Sequence, residues 1–324
     1  MQNRTAVVLF NLGGPLSLQS VEDFLFNLFS DPDIFKLPLG FITQKVFAFI
    51  FSKRRLREAR AGYAAIGGRS PLLENTEKQS AALQQALSRE GHYDVHICMR
   101  YWHPLTAQVV AKLKQAQYAK VVLLPLYPQY STTTTGSSYN EFLRQCERQH
   151  YHPHIALIEH WYEQSDYQQA IVESIQHEAK KFSRPAPGDI SLLFSAHGLP
   201  QKIINNGDPY ERHITATYES LKEKLNWPHT MLCYQSRVGP LKWLQPYTDR
   251  VILEQAAAGA KQILVYPVAF VSDHVETLYE LGIVYAKLAQ QAGISEYRVT
   301  PALNDHPLLI RTLKKLTLNA LAQS

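Results

Sequence analysis

Phe194-Ser195-Ala196-His197-Gly198-Leu199-Pro200 closes an apolar run, and Phe10-Asn11-Leu12-Gly13-Gly14-Pro15 closes another of the same design. Two further strand ends recur in the same order: CMRYWHP at 98–104 resembles CYQSRVGP at 233–240, and LPLY at 124–127 resembles YPVA at 266–269. A strand, a turn and a proline are ordinary punctuation, but three matches in order mark an internal repeat. Outward from these ends, short β-branched runs at 7–10, 95–99, 121–124, 155–158, 190–194, 231–233, 263–266 and 297–300 alternate with stretches of helical period. The helical stretches cover 72–89, 105–117, 165–182, 209–226, 275–291 and 306–322. Strands separated by helices predict parallel sheets. The expected fold is therefore α/β, with two similar doubly wound domains that each carry a four-stranded parallel sheet. One domain is expected over 1–162, with a helix from 304–324 packing back on it, and the other over 163–303. Open α/β sheets bind ligands outside the carboxyl ends of their strands, and every matched segment is such an end. An active-site cleft between the domains is the consequence.

The 324 residues are 45% hydrophobic, enough for a sizeable core; a chain of this length buries roughly three quarters of its unfolded surface. With 33 Lys and Arg against 28 Asp and Glu, a net charge of +5, and only 19% charged residues, the chain has neither the basic blocks of a nucleic-acid binder nor the composition of a disordered protein. Cys98, Cys146 and Cys233 lie too far apart for a zinc or iron–sulfur motif and are too few for a disulfide framework. A reducing cytoplasm is the expected compartment. The first ten residues read as a strand rather than a signal peptide. The segment 37–51, LPLGFITQKVFAFIF, is broken by Gln44 and Lys45; it falls short of the ~20 residues needed to span a bilayer. With Lys53, Arg54, Arg55 and Arg57 after it, it reads either as an amphipathic helix on an anionic membrane surface or as an ordinary packed helix. Neither GxGxxG nor GxxxxGK[ST] occurs, so nucleotide binding has no sequence support.

His197 follows a buried strand and precedes a glycine, which puts its imidazole at a strand's carboxyl end, as a site residue or as a turn histidine bonded to backbone. Beyond the seventh strand lies Ser272-Asp273-His274-Val275-Glu276-Thr277-Leu278-Tyr279-Glu280. Asp273 and Glu276 have capping-box spacing. Glu276 and Glu280 stand four apart, where like charges cost a few tenths of a kcal/mol on an α-helix unless a cation or proton sits nearby. A divalent metal or a departing proton would supply that partner. Arg100-Tyr101-Trp102-His103-Pro104 and YPQYSTTTTGSS at 127–138 put a cation, aromatics and hydroxyls at two more strand ends, suited to a cleft wall. His150, His152, His154 and His160 read as a solvated rim.

These residues make the chain similar to the ferrochelatase family over essentially its whole length. NLGGP at 11–15, KRR with GYAAIGGRSP over 53–71, RYWHPLT at 100–106, LYPQYSTTTTGSS at 126–138, SAHGLP at 195–200, CYQSRVGPLKWLQP at 233–246 and PVAFVSDHVETLYELGI at 267–283 carry the resemblance. It implies insertion of ferrous iron into protoporphyrin IX, with His197 and Glu276 as the metal and proton-handling pair and Asp273, His274 and Glu280 as a relay. It also implies that Leu12, Tyr130, Trp243 and Phe270 line the macrocycle, and that Arg55, Ser70, Arg100 and Tyr101 stand near its edge and propionates. Val284 replaces a continued acidic ladder, and Arg69 a commoner glycine before Ser70. No resident cofactor and no iron–sulfur centre are expected, iron being a substrate. The expected partners are protoporphyrin IX, ferrous iron, a porphyrin- or iron-donor protein and the inner face of the membrane, touched peripherally from the cytoplasm. The competing readings are a tetrapyrrole receptor without catalysis, or a chelatase for cobalt or coproporphyrin III.

Overall fold

The structure, a computed structural model, describes residues 4–35, 40–237, 239 and 241–322. Positions 37–39 of the apolar segment, and Pro240 of the second repeat match, lie outside the described residues. Two compact units divide the chain, Met1–Trp161 with Leu309–Ser324, and Tyr162–Leu308.

In the first unit β1 (Thr5–Asn11), β2 (Tyr93–Met99), β3 (Lys120–Pro125) and β4 (His154–Leu157) form a parallel sheet in the order β2-β1-β3-β4. All seven residues of β1 are buried, as expected of a central strand in a parallel sheet. The second unit repeats the plan with β5 (Ile190–His197), β6 (Thr230–Gln235), β7 (Gln262–Pro267) and β8 (Glu296–Val299) in the order β6-β5-β7-β8. The α/β class and the two four-stranded parallel sheets are those expected from the sequence. Each sheet has its own core: Val8, Phe10, Leu113 and Phe142 in one, Leu193, Val251, Val265 and Leu281 in the other. Burial of each such side chain contributes about 1.5–3 kcal/mol.

Strand register refines the internal repeat. Phe10 pairs with Cys98 and Pro125, and Ser195 pairs with Cys233 and Pro267. Phe10 therefore corresponds to Ser195 rather than to Phe194, and Leu12 occupies the place that His197 has in the second unit. Met99 N donates to Pro104 O and Tyr234 N to Pro246 O, both at 2.8 Å. Pro246, not Pro240, is thus the counterpart of Pro104, because the loop after β6 is longer and sequence spacing hid the match. The cysteines obey the same repeat: the Cys98 thiol donates to Thr106 Oγ1 at 3.6 Å, and Thr248 Oγ1 donates to Cys233 Sγ at 3.3 Å. Burial pushes both thiols up to about 12, so they are packing groups and not nucleophiles.

Helix Phe41–Ala65 divides the apolar segment between two faces. Phe47 and Phe51 join Phe29 and Phe35 in an aromatic cluster with centroid separations of 4.2–6.2 Å. Gln44, buried, donates to Phe29 O at 2.8 Å. On the other face Ile42, Val46, Phe49 and Ile50 are 54–75% exposed. No described helix is long and apolar enough to cross a membrane.

Candidate active site at the end of the second sheet

β5 delivers His197 as its last residue, and two contacts set the turn that follows. Gly198 N donates to Gln235 O at 2.9 Å, and a Cβ at Gly198 would lie 2.8 Å from that oxygen, so only glycine allows the approach. Tyr210 OH donates to His197 O at 2.9 Å. Beneath the turn, Ser195 Oγ donates to Gln235 Oε1 at 2.7 Å, closing the strand end against water.

Beyond β7 the chain enters a π-helix, Glu276–Tyr285, continued by an α-helix, Ala286–Gln291. The sequence period indicated one helix here; the wider i→i+5 turn is a departure often found at functional sites. Glu276 Oε2 stands 2.8 Å from His197 Nδ1 and 3.4 Å from the Ser236 hydroxyl. Glu280 Oε1 accepts from Ser236 N at 2.9 Å and from Tyr285 OH at 3.0 Å, and its Oε2 accepts from Ser236 Oγ. Ser236 thus joins the two carboxylates, from a backbone held at φ +65°, a left-handed conformation uncommon outside glycine. Neither Ser236 nor Tyr285 was singled out in the sequence. The position of Ser236 one residue past β6, opposite a strand-end histidine, was the available signal.

The remaining members of the cluster divide. His274 is buried, with Nδ1 on Ser272 O at 3.1 Å and Nε2 at 3.9 Å from Glu276 Oε2, and it packs on Phe270 at 4.3 Å. Phe270 also meets the His197 ring edge to face at 6.2 Å. Asp273 accepts from Thr277 Oγ1 at 2.9 Å, Ala302 N at 3.2 Å and Asn304 Nδ2 at 2.9 Å, so its carboxylate pins the loop. Glu276, the first π-helix residue, spends its carboxylate on His197 and Ser236, so the capping-box reading does not hold.

Electrostatics separate the three titrating groups. Burial pushes the His197 imidazole down, but the Glu276 carboxylate outweighs it and holds the ring above its ordinary value. Glu276 is opposed by burial yet kept far below the usual carboxylate range by His197 and, less strongly, His274. Burial, then the Glu276 charge, raises Glu280. An ionised carboxylate, a basic imidazole and a second carboxyl that retains its proton more readily form a set able to take up and pass protons.

In the first unit, Leu12 packs against the core just beyond β1. Tyr130 follows β3, half-buried. Ser70 is buried, with N on Pro15 O at 2.8 Å and Oγ accepting from Leu72 N at 3.3 Å. Arg55 pairs with Glu58 at 2.9 Å and reaches solvent, while Arg69 lies 3.8 Å from Glu74. Arg100 is paired with Asp31 at 3.0 Å, and Tyr101 is buried with its hydroxyl on Asp31 at 2.6 Å, so the Tyr101 ring faces the interior of the unit. In the second unit Trp243 bridges to Pro200. Among the described residues no three His, Cys, Asp or Glu side chains gather as a ready metal cage.

Fold and site together define an α/β protein of two like units, with a histidine–carboxylate centre suited to handling a cation and protons. Among solved structures it is similar to SirB from Bacillus subtilis with Fe3+, at TM-score 0.58 and 10% identity over 99% of this chain and 96% of that one, a likeness of fold. Curated relatives include the ferrochelatases of Gloeothece citriformis, 42% identical over 99% of this chain and 84% of that protein, and of Synechococcus sp. (strain JA-2-3B'a(2-13)), 45% identical over 97% and 92%. The ferrochelatase family model matches residues 4–321, and the chain belongs to that family.

Proposed function

We propose that the chain inserts ferrous iron into protoporphyrin IX to form protohaem, and that His197 and Glu276 do the chemistry. Family membership over residues 4–321 supports the activity, and the 2.8 Å contact between His197 Nδ1 and Glu276 carries the residue assignment. Metallation of a neutral porphyrin by a dication releases two pyrrole protons. With Nδ1 on Glu276, the Nε2 atom of His197 is the ring's remaining acceptor, and the adjacent carboxylate makes it more basic. Glu276, ionised, attracts the incoming iron and steadies the imidazolium that forms. Ser236 links Glu276 to Glu280, whose raised affinity for a proton suits it to carry one away. His274 adds to the field at Glu276, and Asp273 holds the loop that presents both.

In this reading the ring enters the cleft of a doubly wound pair of domains. Leu12, Tyr130, Trp243 and Phe270, each beyond the carboxyl end of a strand, meet the macrocycle. Arg55, Ser70 and Arg100 serve its edge and carboxylates. The test is anaerobic incubation of the protein with ferrous iron and protoporphyrin IX, read by absorbance. Loss of the free-porphyrin spectrum with growth of the haem spectrum is expected. Retention of porphyrin without metallation marks a receptor instead, and faster turnover with cobalt or coproporphyrin III marks a different chelatase.

The proposal extends to location: a cytoplasmic protein that touches the membrane peripherally and collects its poorly soluble substrate there, with a donor protein as a further partner. The exposed row Ile42, Val46, Phe49 and Ile50 supports the membrane contact. Phe47 belongs to the packed face, so the informative variant is Val46→Ser with Phe49→Ser. It is expected to lower partitioning onto anionic vesicles by about tenfold or more, since each large apolar side chain contributes about 1.5–3 kcal/mol on burial. Turnover of a more soluble porphyrin should change little. Absence of flotation by the unmodified protein removes the membrane contact from the reading.

A further inference from the structure

We propose that Asp31 is a positioning residue for porphyrin binding: its buried carboxylate fixes the Arg100 guanidinium at the carboxyl end of β2. The proposal rests on the reading of Arg100 as a contact for a porphyrin carboxylate. The Asp31 side chain has no exposed surface, and that of Arg100 is 10% exposed. A carboxylate without water must find its partners in the protein, and Asp31 has an ion pair and three hydrogen-bond donors. Arg100 Nη2 reaches Oδ1 at 3.0 Å, Asp33 N donates to Oδ1 at 2.8 Å, Tyr101 OH donates to Oδ2 at 2.6 Å, and Ser137 Oγ donates to Oδ2.

The ring of contacts is closed by Arg100 itself, whose Nε donates to Ser137 Oγ at 2.8 Å. Two guanidinium nitrogens are thus tied to a carboxylate and to a hydroxyl that share a bond, which sets both the position and the plane of the fork. The third nitrogen, Nη1, makes no hydrogen bond among the described residues and is a donor left for a ligand. The anchor is rigid in turn. Asp33, two residues on, accepts from Asn140 Nδ2 at 2.9 Å and Arg144 Nη2 at 2.8 Å, and Phe35 N donates to Asp31 O at 3.0 Å.

Stability alone does not account for this arrangement, because a buried ion pair contributes little beyond an apolar pair of the same volume. Its place in the repeat does. Arg100 N donates to Asn11 O and Tyr101 N to Leu12 O, both at 2.9 Å. Arg100 therefore follows β2 where Gln235, the register partner of His197, stands in the second unit. At that strand end a guanidinium held in one orientation loses little freedom when a carboxylate docks, which is how preorganisation raises affinity.

Asp31→Asn keeps the shape and removes the charge. Its expected signature is a porphyrin KM raised about fivefold or more with kcat within about twofold, the pattern of lost ground-state binding. Arg100→Gln should raise KM at least as much, and Asp31→Asn with Arg100→Gln no further, since two residues that act through one contact are non-additive. Ser137→Ala, which cuts the bridge at neither charge, should give a smaller rise of the same kind and carries the test if thermal melts show Asp31→Asn unfolded. An unchanged KM in Asp31→Asn (or, where it is unfolded, in Ser137→Ala) beside a raised KM in Arg100→Gln overturns the positioning role while sparing the reading of Arg100. An unchanged KM in Arg100→Gln overturns the reading of Arg100, and the positioning role with it. A fall in kcat as large as the rise in KM assigns Asp31 to the reacting centre or to general damage, and overturns the proposal too.

Discussion

His197→Ala is expected to lower the rate of iron insertion by 10²–10⁴-fold or more, the range lost when a positioned general base is removed. Folding should survive the change. The His197 side chain is 34% exposed, so its removal opens no cavity in the core. Its backbone is held independently, by pairing with Gln235 and by Tyr210 OH on its carbonyl at 2.9 Å. The group most affected is Glu276, which loses the neighbour that opposes burial, so its carboxyl moves back up toward the ordinary range. Two measurements decide the assignment: single-turnover metallation under anaerobic conditions, and thermal melting of the same preparation. Added imidazole should restore part of the activity if the ring acts as an acceptor at Nε2. Near wild-type turnover in the variant removes His197 from the mechanism, whatever the melt shows.

Much of this site was legible because strand ends in an α/β fold are marked by composition. The apolar run into His197, the glycine after it and the proline three residues on are enough to place a titratable ring at a sheet's carboxyl end. The repeat was legible for the same reason, and its one-residue error arose because Phe10 and Phe194 are alike, while strand register makes Ser195 the counterpart of Phe10 in the second sheet. What stayed hidden depends on backbone geometry that side-chain order does not encode. An apolar period suits a π-helix as well as an α-helix, so the wide turn that carries Glu276 and Glu280 was unreadable. Ser236 matters through a left-handed backbone, and nothing in CYQSRVGP marks that conformation. Asp31 lies in Ser30-Asp31-Pro32-Asp33, a pattern that reads as a polar turn, and its burial is set by Arg100, Tyr101 and Ser137 from distant parts of the chain. Phe47 and Phe49 are equivalent in the sequence; only the aromatic cluster around Phe29 separates the packed face from the exposed one.

Glu276→Gln is expected to reduce metallation by 10²-fold or more and to move the acidic limb of the pH–rate profile to lower pH. The amide oxygen can still accept from His197 Nδ1, so the ring stays in place and only the charge is lost. Without that charge, burial is left as the main influence on His197, and the imidazole falls toward or below its ordinary value. It becomes a free base at lower pH but a weaker proton acceptor. Stability follows from the same shifts. Glu276 is lowered in the fold, so it contributes stability above its unfolded value and loses it as pH falls through the folded one. His197 is raised, so its contribution is complete below its unfolded value and is lost as pH rises through the folded one. Both contributions are present together at about pH 5–6, and the substitution removes both. Glu280 acts oppositely to Glu276: raised by burial and by the Glu276 charge, it costs stability once it ionises, and the substitution relieves the second cause. The wild type should therefore exceed the variant in Tm most at about pH 5–6, with the gap closing above the folded His197 value as the imidazolium deprotonates. Melts across that range, paired with kcat/KM at each pH, test both halves. A Tm gap independent of pH would show that the carboxylate contributes shape and not charge, and an unmoved acidic limb would show that His197 does not set it.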